Sequence, residues 1–420
     1  MKRTRSQQGS EGAAEIRGSR GASKLARGLS GTNLARAGDY NQRTVLQAIR
    51  LKQPVTRNDL ARQTGLTPPA IANIVNRLAE LDLVFTNVRT VGSRGAPSIQ
   101  LRVNPDGAFS LGLNIDRDHL TMVALDLAGR VRARASCEIA FAMPEQVQDF
   151  VEKHLPQLIR KGRVIEGRIL GLGVAIPDEL GTIEVPLLPK RYSIWDRTDV
   201  AALLSDQINW PIYQDNDAAA AALGEAQQAT ALENPSFFYL LITALLGGAP
   251  VFDRTYHRGA TSRSGEIGLH PDHSVRRPGA VVQDTVSLAA LRQRLEQAGR
   301  PIARIEELTT EDPLIEAIVA GWLADVTRSL TDPLVSLAFM LNLDAILIGG
   351  RLPLPLVKKL AQSLDGSLAA YRIPHQPRIL PATMPMDAPA IGAAMLPFLD
   401  QLLPSEAILA KAEVNSVSVR

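Results

Sequence analysis

The chain has 420 residues, 45% of them hydrophobic, enough to bury two or three domain-sized cores. No apolar run reaches the roughly 18 residues of a membrane span, and the Gly-, Ser- and Arg-rich start has no signal-type apolar stretch. A single cysteine, Cys137, excludes an internal disulfide and fits a cytoplasmic protein.

Charge is unevenly placed. Residues 1–105 hold 17 Lys and Arg against 6 Asp and Glu, a net of +11, whereas the remainder nets −8 and the whole chain only +3. A basic front end on an acidic body is the electrostatic footprint of nucleic-acid binding by one part of a chain. Residues 1–38 read as a disordered basic arm, serving either non-specific DNA affinity or as a plain solvated tail.

Residues 39–105 read as a winged helix-turn-helix. Val45, Leu46 and Ile49 give a first helical apolar face. Thr56 opens a second helix, with Asp59 three residues on, close to a capping box. Gly65 makes the turn. Thr67 is placed to cap a third helix, with Pro68 at its first position, where a missing N–H costs nothing. Ile71, Ile74, Val75 and Leu78 line the inner face of Thr67–Leu81. Pro69, Asn73, Asn76 and Arg77 fall on the outer face, and Asn and Arg are the side chains that read adenine and guanine edges in a major groove. Arg57 and Thr67 are further candidate DNA contacts. Two strand-like runs follow, joined by Gly92–Pro97. They form a candidate wing whose Arg94 reaches phosphate or a minor groove. The competing reading is a small helical module for protein contacts, which the charge asymmetry argues against.

From Phe109 the pattern changes to three consecutive strands (SLGLNID, LTMVALDL, RVRARASCEIAF), a helical run near 144–161 and a buried strand, ILGLGVAI. A similar order recurs after Pro235: FFYLLIT, APVFD, helices, then DAILIGG. Two α/β subdomains with a cleft between them, 106–234 and 235–404, are expected. The last helix, near 388–403, is expected to pack back on the first subdomain, with a loose tail over 405–420.

The segments YQDNDAAAAALGE, RSGEIG, LNLDAILIGG and PAIGAA, behind a winged helix-turn-helix, resemble the ROK (repressor, open reading frame, kinase) family. The resemblance implies an actin-like ATPase fold for the body. It also implies that Asn216, Asp217 and Glu266 hold sugar hydroxyls, with Asp217 standing where the kinases have their general base. Without the resemblance, Asn216-Asp217 before an Ala-rich run is an ordinary helix cap.

The departures from that pattern point away from catalysis. The first phosphate loop reads Asp116-Arg117-Asp118-His119-Leu120, lacking the glycine that lets backbone approach phosphate. The second reads Thr243-Ala244-Leu245-Leu246-Gly247-Gly248-Ala249-Pro250, with Leu245 and Leu246 expected to fill the phosphate space. Gly349-Gly350 is retained, but a tight turn needs such a pair anyway. After Glu266 there is no cysteine and Leu269 stands where the family has a His, so no structural zinc is expected and His270 and His273 read as surface residues. The turn Ile176-Pro177-Asp178 and the leucines at 187 and 188 alter the sugar site, and Asp178, Arg191 and Trp195 are candidate replacement contacts.

The expected protein is therefore a DNA-binding transcription regulator, a repressor of carbohydrate-related genes. Its kinase-like body would be non-catalytic, with no cofactor, no metal and no catalytic residue. Its partners would be an inverted-repeat operator, a small carbohydrate-like effector and further copies of itself, as a homodimer or homotetramer. The alternatives are a bifunctional sugar kinase with a fused DNA-binding domain, and a regulator controlled by a protein partner.

Overall fold

A computed structural model describes residues 34–89, 98–178, 180–181, 189–309, 311–384 and 387–405. The chain opens with α1 (Leu34–Lys52), whose Val45, Leu46 and Ile49 are buried as the spacing requires. A two-residue strand β1 (Val55–Thr56) leads into α2 (Arg57–Thr64). Thr56 and Asp59 form the complete capping box: the Thr56 side chain accepts from Asp59 N–H, and Asp59 accepts from Thr56 N–H at 3.1 Å. Gly65, at φ 70°, ends α2 in the left-handed conformation that glycine adopts freely. Next comes α3 (Pro68–Glu80). Thr67 has the extended backbone of a helix cap, but its side chain makes no capping hydrogen bond. Pro68 and Pro69 follow, and a proline second in the helix offers no N–H for a cap to accept from. Strands β2 (Val84–Arg89) and β3 (Ser98–Val103) pair antiparallel, with β1 on the far edge of β3.

The body contains one topology twice. In the first half β4 (Phe109–Ile115), β5 (His119–Asp126) and β6 (Val131–Glu138) form an antiparallel meander. After α4 (Pro144–Gly162), β7 (Ile169–Ala175) adds parallel to β4. A short helix α5 (Val200–Leu204) precedes β8 (Ile212–Asp215), parallel to β7, and the sheet order is β6-β5-β4-β7-β8. After α6 (Asp217–Ala226) the scheme repeats with β9 (Phe237–Ile242), β10 (Leu246–Phe252) and β11 (Thr255–Tyr256). Then come α7 (Leu288–Gln297), α8 (Pro313–Leu341), β12 (Ala345–Gly350), α9 (Leu354–Leu368) and β13 (Arg378–Pro381), giving the order β11-β10-β9-β12-β13. The edge strands β8 and β13 are four residues each, too short to show a period in the sequence.

The last helix, α10 (Ala388–Gln401), crosses α6 in the middle of the molecule. α10 lies on β4 and β7 of the first sheet, while α6 shares its core with Phe237 and Tyr239 of the second. The approach is so close that glycine is required. A Cβ on Gly392 would lie 1.7 Å from the Ala220 carbonyl oxygen, and one on Gly173 would lie 1.8 Å from that of Ala393. The alanines of α6 are therefore a packing requirement.

The winged helix does not hang on a linker. One apolar cluster joins Leu46, Ile49 and Val75 to Val123, Leu125, Met395 and Phe398 of the body. Arg50, 7% exposed, donates to the Gln227 carbonyl at 3.1 Å, and Gln47 Nε2 donates to the Gln227 side chain at 2.7 Å. Burial pushes the Arg50 guanidinium down to about 10, which still leaves it charged at neutral pH.

Candidate DNA-reading face and effector cleft

Thr67, Pro69, Asn73, Asn76 and Arg77 are all exposed on α3, the helix whose Ile71, Val75 and Leu78 are fully buried. Arg57 also supports a neighbour on the reading helix. It is half-buried, and its Nη2 donates to Asn76 Oδ1 at 2.9 Å. Asn76 is thereby held with its amide N–H₂ outward, a donor face suited to base acceptors. Arg94 lies outside the described residues.

The cleft follows from strand register. Asn114, Ala175 and Asp215 lie side by side across β4, β7 and β8, so the residues after each strand emerge at one sheet edge. These are Asp116–Asp118, Ile176–Asp178 and Asn216–Asp217. Ligands of open α/β sheets collect at this carboxyl end. In the second half Gly350 pairs with Ile242, so Thr243 and Arg351 emerge at the matching edge.

At one end of the cleft, Asn216 caps α6 through Oδ1, accepting from Ala218 and Ala219 N–H, while its Nδ2 donates to Asp178 Oδ2 at 3.1 Å. The cap reading of Asn216 describes a real contact, and its amide N–H₂ also reaches Asp178. Asp217 is 7% exposed and accepts from Ala218 N–H at 2.8 Å. Burial, then the neighbouring Asp116 carboxylate, push Asp217 up to about 7, outweighing the Ala218 N–H bond and the Arg117 charge. Glu266 is more open. Arg263 Nε donates to it at 3.1 Å and lies 3.8 Å from Asp178, linking the 263–266 loop to the end of β7. Asn216, Asp217, Asp178, Arg263 and Glu266 therefore form one polar cluster. Arg263 carried no signal in the sequence beyond its place beside the Gly-Glu pair.

At the other end, where the resemblance places nucleotide phosphates, two arginines bridge the halves. Arg351 Nη1 donates to Asp118 at 3.0 Å and Nη2 to Glu138. Arg292 of α7 lies 3.6 Å from Asp118 and 3.7 Å from Glu138. Burial alone would raise the Asp118 carboxyl; His119, Arg351 and Arg292 together hold it below the usual carboxylate range. Asp118 is thus a clamp point for the second half.

Several expected contacts fall elsewhere. Leu246 does not fill phosphate space: it starts β10 and packs with Phe238 and Ile267 in the core of the second half. Trp195 is 6% exposed and donates its indole N–H to the Ala142 carbonyl, so it is a core residue. Arg191 lies out in solvent, 3.6 Å from Glu145. The leucines at 187 and 188 lie outside the described residues. His270 and His273 are exposed. Asp116, Asp118 and His119 offer ligand atoms within 4.8 Å of one another. Two guanidinium groups at Asp118 oppose a cation there, and His119 Nδ1 is already 2.8 Å from Asp118. A cavity of about 200 Å³, lined in part by Glu225, Arg378 and Thr383, lies at the opposite end of α6.

A winged helix fixed to a duplicated, cleft-bearing α/β body defines a DNA-binding module carried on an actin-like ATPase fold. The chain belongs to the ROK family, whose model matches residues 110–398, and a winged helix-turn-helix DNA-binding model matches residues 39–84. It is 26% identical over 326 residues to the DNA-binding transcriptional repressor Mlc of Escherichia coli, covering 71% of this chain and 78% of that protein. It is 24% identical over 228 residues to the xylose repressor of Bacillus spizizenii, a match spanning 54% of this chain and 59% of that protein. The crystal structure of a ROK family transcriptional regulator, a homolog of E. coli Mlc, shares the fold. Its TM-score is 0.64 at 19% identity, over 89% of this chain and 99% of that one. Among the described residues no helix is long and apolar enough to cross a membrane.

Proposed function

We propose that this chain is a transcriptional repressor that binds DNA through α3 and responds to a small sugar-like effector in the cleft. The observation that carries this reading is the exposed Asn73–Asn76–Arg77 face of α3 on a winged helix whose core is continuous with the cleft-bearing body. Repressor-named relatives support the same reading. Two copies in a symmetric dimer would present two recognition helices to an inverted-repeat operator, with half-sites whole helical turns apart. Asn216, Asp217 and Glu266 would pair with vicinal hydroxyls of the effector. A cytoplasmic location follows from this role.

The body acts here as a binding module and not as a kinase. Asp217 retains the carboxylate a kinase needs as base, but the phosphate end of the cleft is bridged by Arg351 and Arg292 on Asp118 and Glu138. A triphosphate would have to displace four ion pairs and meet two carboxylates. The test pairs a footprint on the DNA upstream of the gene with an ADP-release assay. Protection of an inverted repeat and no sugar-dependent ADP are expected. Stoichiometric ADP formation that depends on a sugar and is lost in Asp217→Ala would establish the kinase reading instead.

A further inference from the structure

Arg117 stands at the turn after β4, and its side chain is 4% exposed. Its backbone is fixed on both sides: its N–H donates to Asp116 Oδ1 at 2.7 Å, and its carbonyl accepts from Phe141 N–H at 2.6 Å. Its guanidinium is not satisfied. Nε and Nη2 are both buried without a hydrogen-bond partner. A buried cation with unmade hydrogen bonds costs several kcal/mol, so such groups are ordinarily paired.

The two orphan nitrogens are informative because of which two they are. Nε and Nη2 lie on one edge of the guanidinium plane. That edge is the side-on fork that grips two oxygens of a carboxylate or a phosphate at once. Arg117 follows β4 at the carboxyl edge of the first sheet, the edge at which Asp217 also emerges, and it is near enough for its charge to act on Asp217 and on Tyr192. The neighbourhood has further unmade bonds. Asp116 Oδ2, Asn114 Oδ1 and the Tyr192 hydroxyl are buried without partners. Several polar groups without hydrogen-bond partners thus lie around the turn after β4, on the side of the sheet edge where α6 starts.

Resting on the reading of the cleft as an effector site, we infer that the effector is a monosaccharide bearing an oxyanion, a carboxylate or a phosphate ester, which Arg117 binds bidentately while Asp217 and Asn216 take its hydroxyls. The oxyanion lies at the inner end because Arg117 is there, buried and with its backbone fixed on both sides. Neutral sugars leave the fork unpaired and bind weakly, as sites built for a polar group reject analogues that lack it. The phosphate of a bound nucleotide is not what the fork serves, since Arg351 and Arg292 already occupy Asp118 and Glu138 at that end.

The test is a thermal-shift and calorimetry panel on the full chain. The probes are hexuronates, aldonates, and hexose and pentose phosphates, each beside its neutral parent, with inorganic phosphate alone as a further arm. At least one acidic sugar should raise the melting temperature and bind at least tenfold more tightly than its neutral parent. The uronate and phosphate arms show which oxyanion is used. Arg117→Gln should abolish that preference, and Arg117→Lys should recover part of it. A neutral sugar that binds as tightly as its acidic counterpart would overturn the inference and leave the sugar-responsive reading standing. Protection by no sugar of either kind would overturn both. An acidic probe that binds Arg117→Gln as well as wild type would show that the fork is not its receptor. Should the variants fail to fold, the wild-type comparison of acidic with neutral probes decides alone.

Discussion

Replacing Arg351 by Met removes the main bridge between the two halves of the body while keeping most of its volume. The Arg351 side chain is 6% exposed and that of Asp118 14%, so their pair at 3.0 Å is shielded from water. Breaking a buried pair by deleting one partner costs about 3–5 kcal/mol. Asp118 would retain Arg292 at 3.6 Å and His119 at 2.8 Å, which places the loss near the low end. Glu138 is 43% exposed, so solvent screens its share and it adds little. A net loss of about 3 kcal/mol, over a body of roughly 300 residues, lowers the melting temperature by about 5 °C. Differential scanning calorimetry at pH 7 should show this drop, and it should persist in 0.5 M salt because the pair is buried. The pH dependence has a definite sign. The folded pKa of Asp118 lies below its unfolded value, so its stabilisation is present above the unfolded pKa and is lost as pH falls through the folded one. The gap between wild type and Arg351→Met should therefore hold from neutral pH to about pH 4 and narrow below it. A double-mutant cycle with Asp118→Asn isolates the pair. A melting temperature within 1 °C of wild type, or no coupling in the cycle, would refute the reasoning.

Gel shifts should show that Asn73→Ala and Arg77→Ala each lose about 1–3 kcal/mol of specific binding if they read bases, or weaken all sequences alike if they touch phosphate. Arg57→Ala should mimic Asn76→Ala in sequence preference, because Arg57 holds that amide; a purely non-specific loss would argue otherwise. Asp217 has a raised folded pKa, so wild type loses stability as pH rises from about 4 to about 7; Asp217→Asn should melt like wild type at pH 4 and above it at pH 8. Thr56→Ala should cost about 1 kcal/mol in urea denaturation through its lost cap.

The parts of this protein that could be read from its sequence are those specified by near neighbours in the chain. Thr56 and Asp59 are three residues apart, Pro68 opens α3, and Ile71, Val75 and Leu78 repeat at helical spacing, so the reading helix and its outer face follow from local rules. The duplicated strand order was visible for the same reason. Long-range partners were not. Arg351 meets Asp118 across 233 positions, and no spacing rule reports that. Leu246 looked like a loop residue filling a phosphate site. The turn closed by Thr243 N–H to the Leu245 carbonyl starts β10 at Leu246 itself, and strand alternation then turns its side chain into the core. Trp195 was misplaced because an aromatic residue near a cleft sequence is as readily a core anchor, and its indole N–H had a carbonyl to find at Ala142. The run of alanines after Asp217 marked a helix but gave no hint that another helix lay against its backbone.

That helix, α6, begins in the cleft and ends under the winged helix. Its first residue is Asp217; just past its last turn, Gln227 holds Gln47 and Arg50 of α1. At 1.5 Å per residue it spans about 15 Å. Backbone against backbone at Gly392 leaves it no slack to roll or bow on α10. It is a strut with both ends loaded. Most of its residues are alanine or glycine, which have no rotamer to change, so a displacement imposed at Asp217 meets little side-chain give along its length. Its route to α1 is the pair of hydrogen bonds from Gln47 and Arg50 to Gln227. The smallest side chains in the protein therefore set the stiffness of a helix that links the cleft to α1.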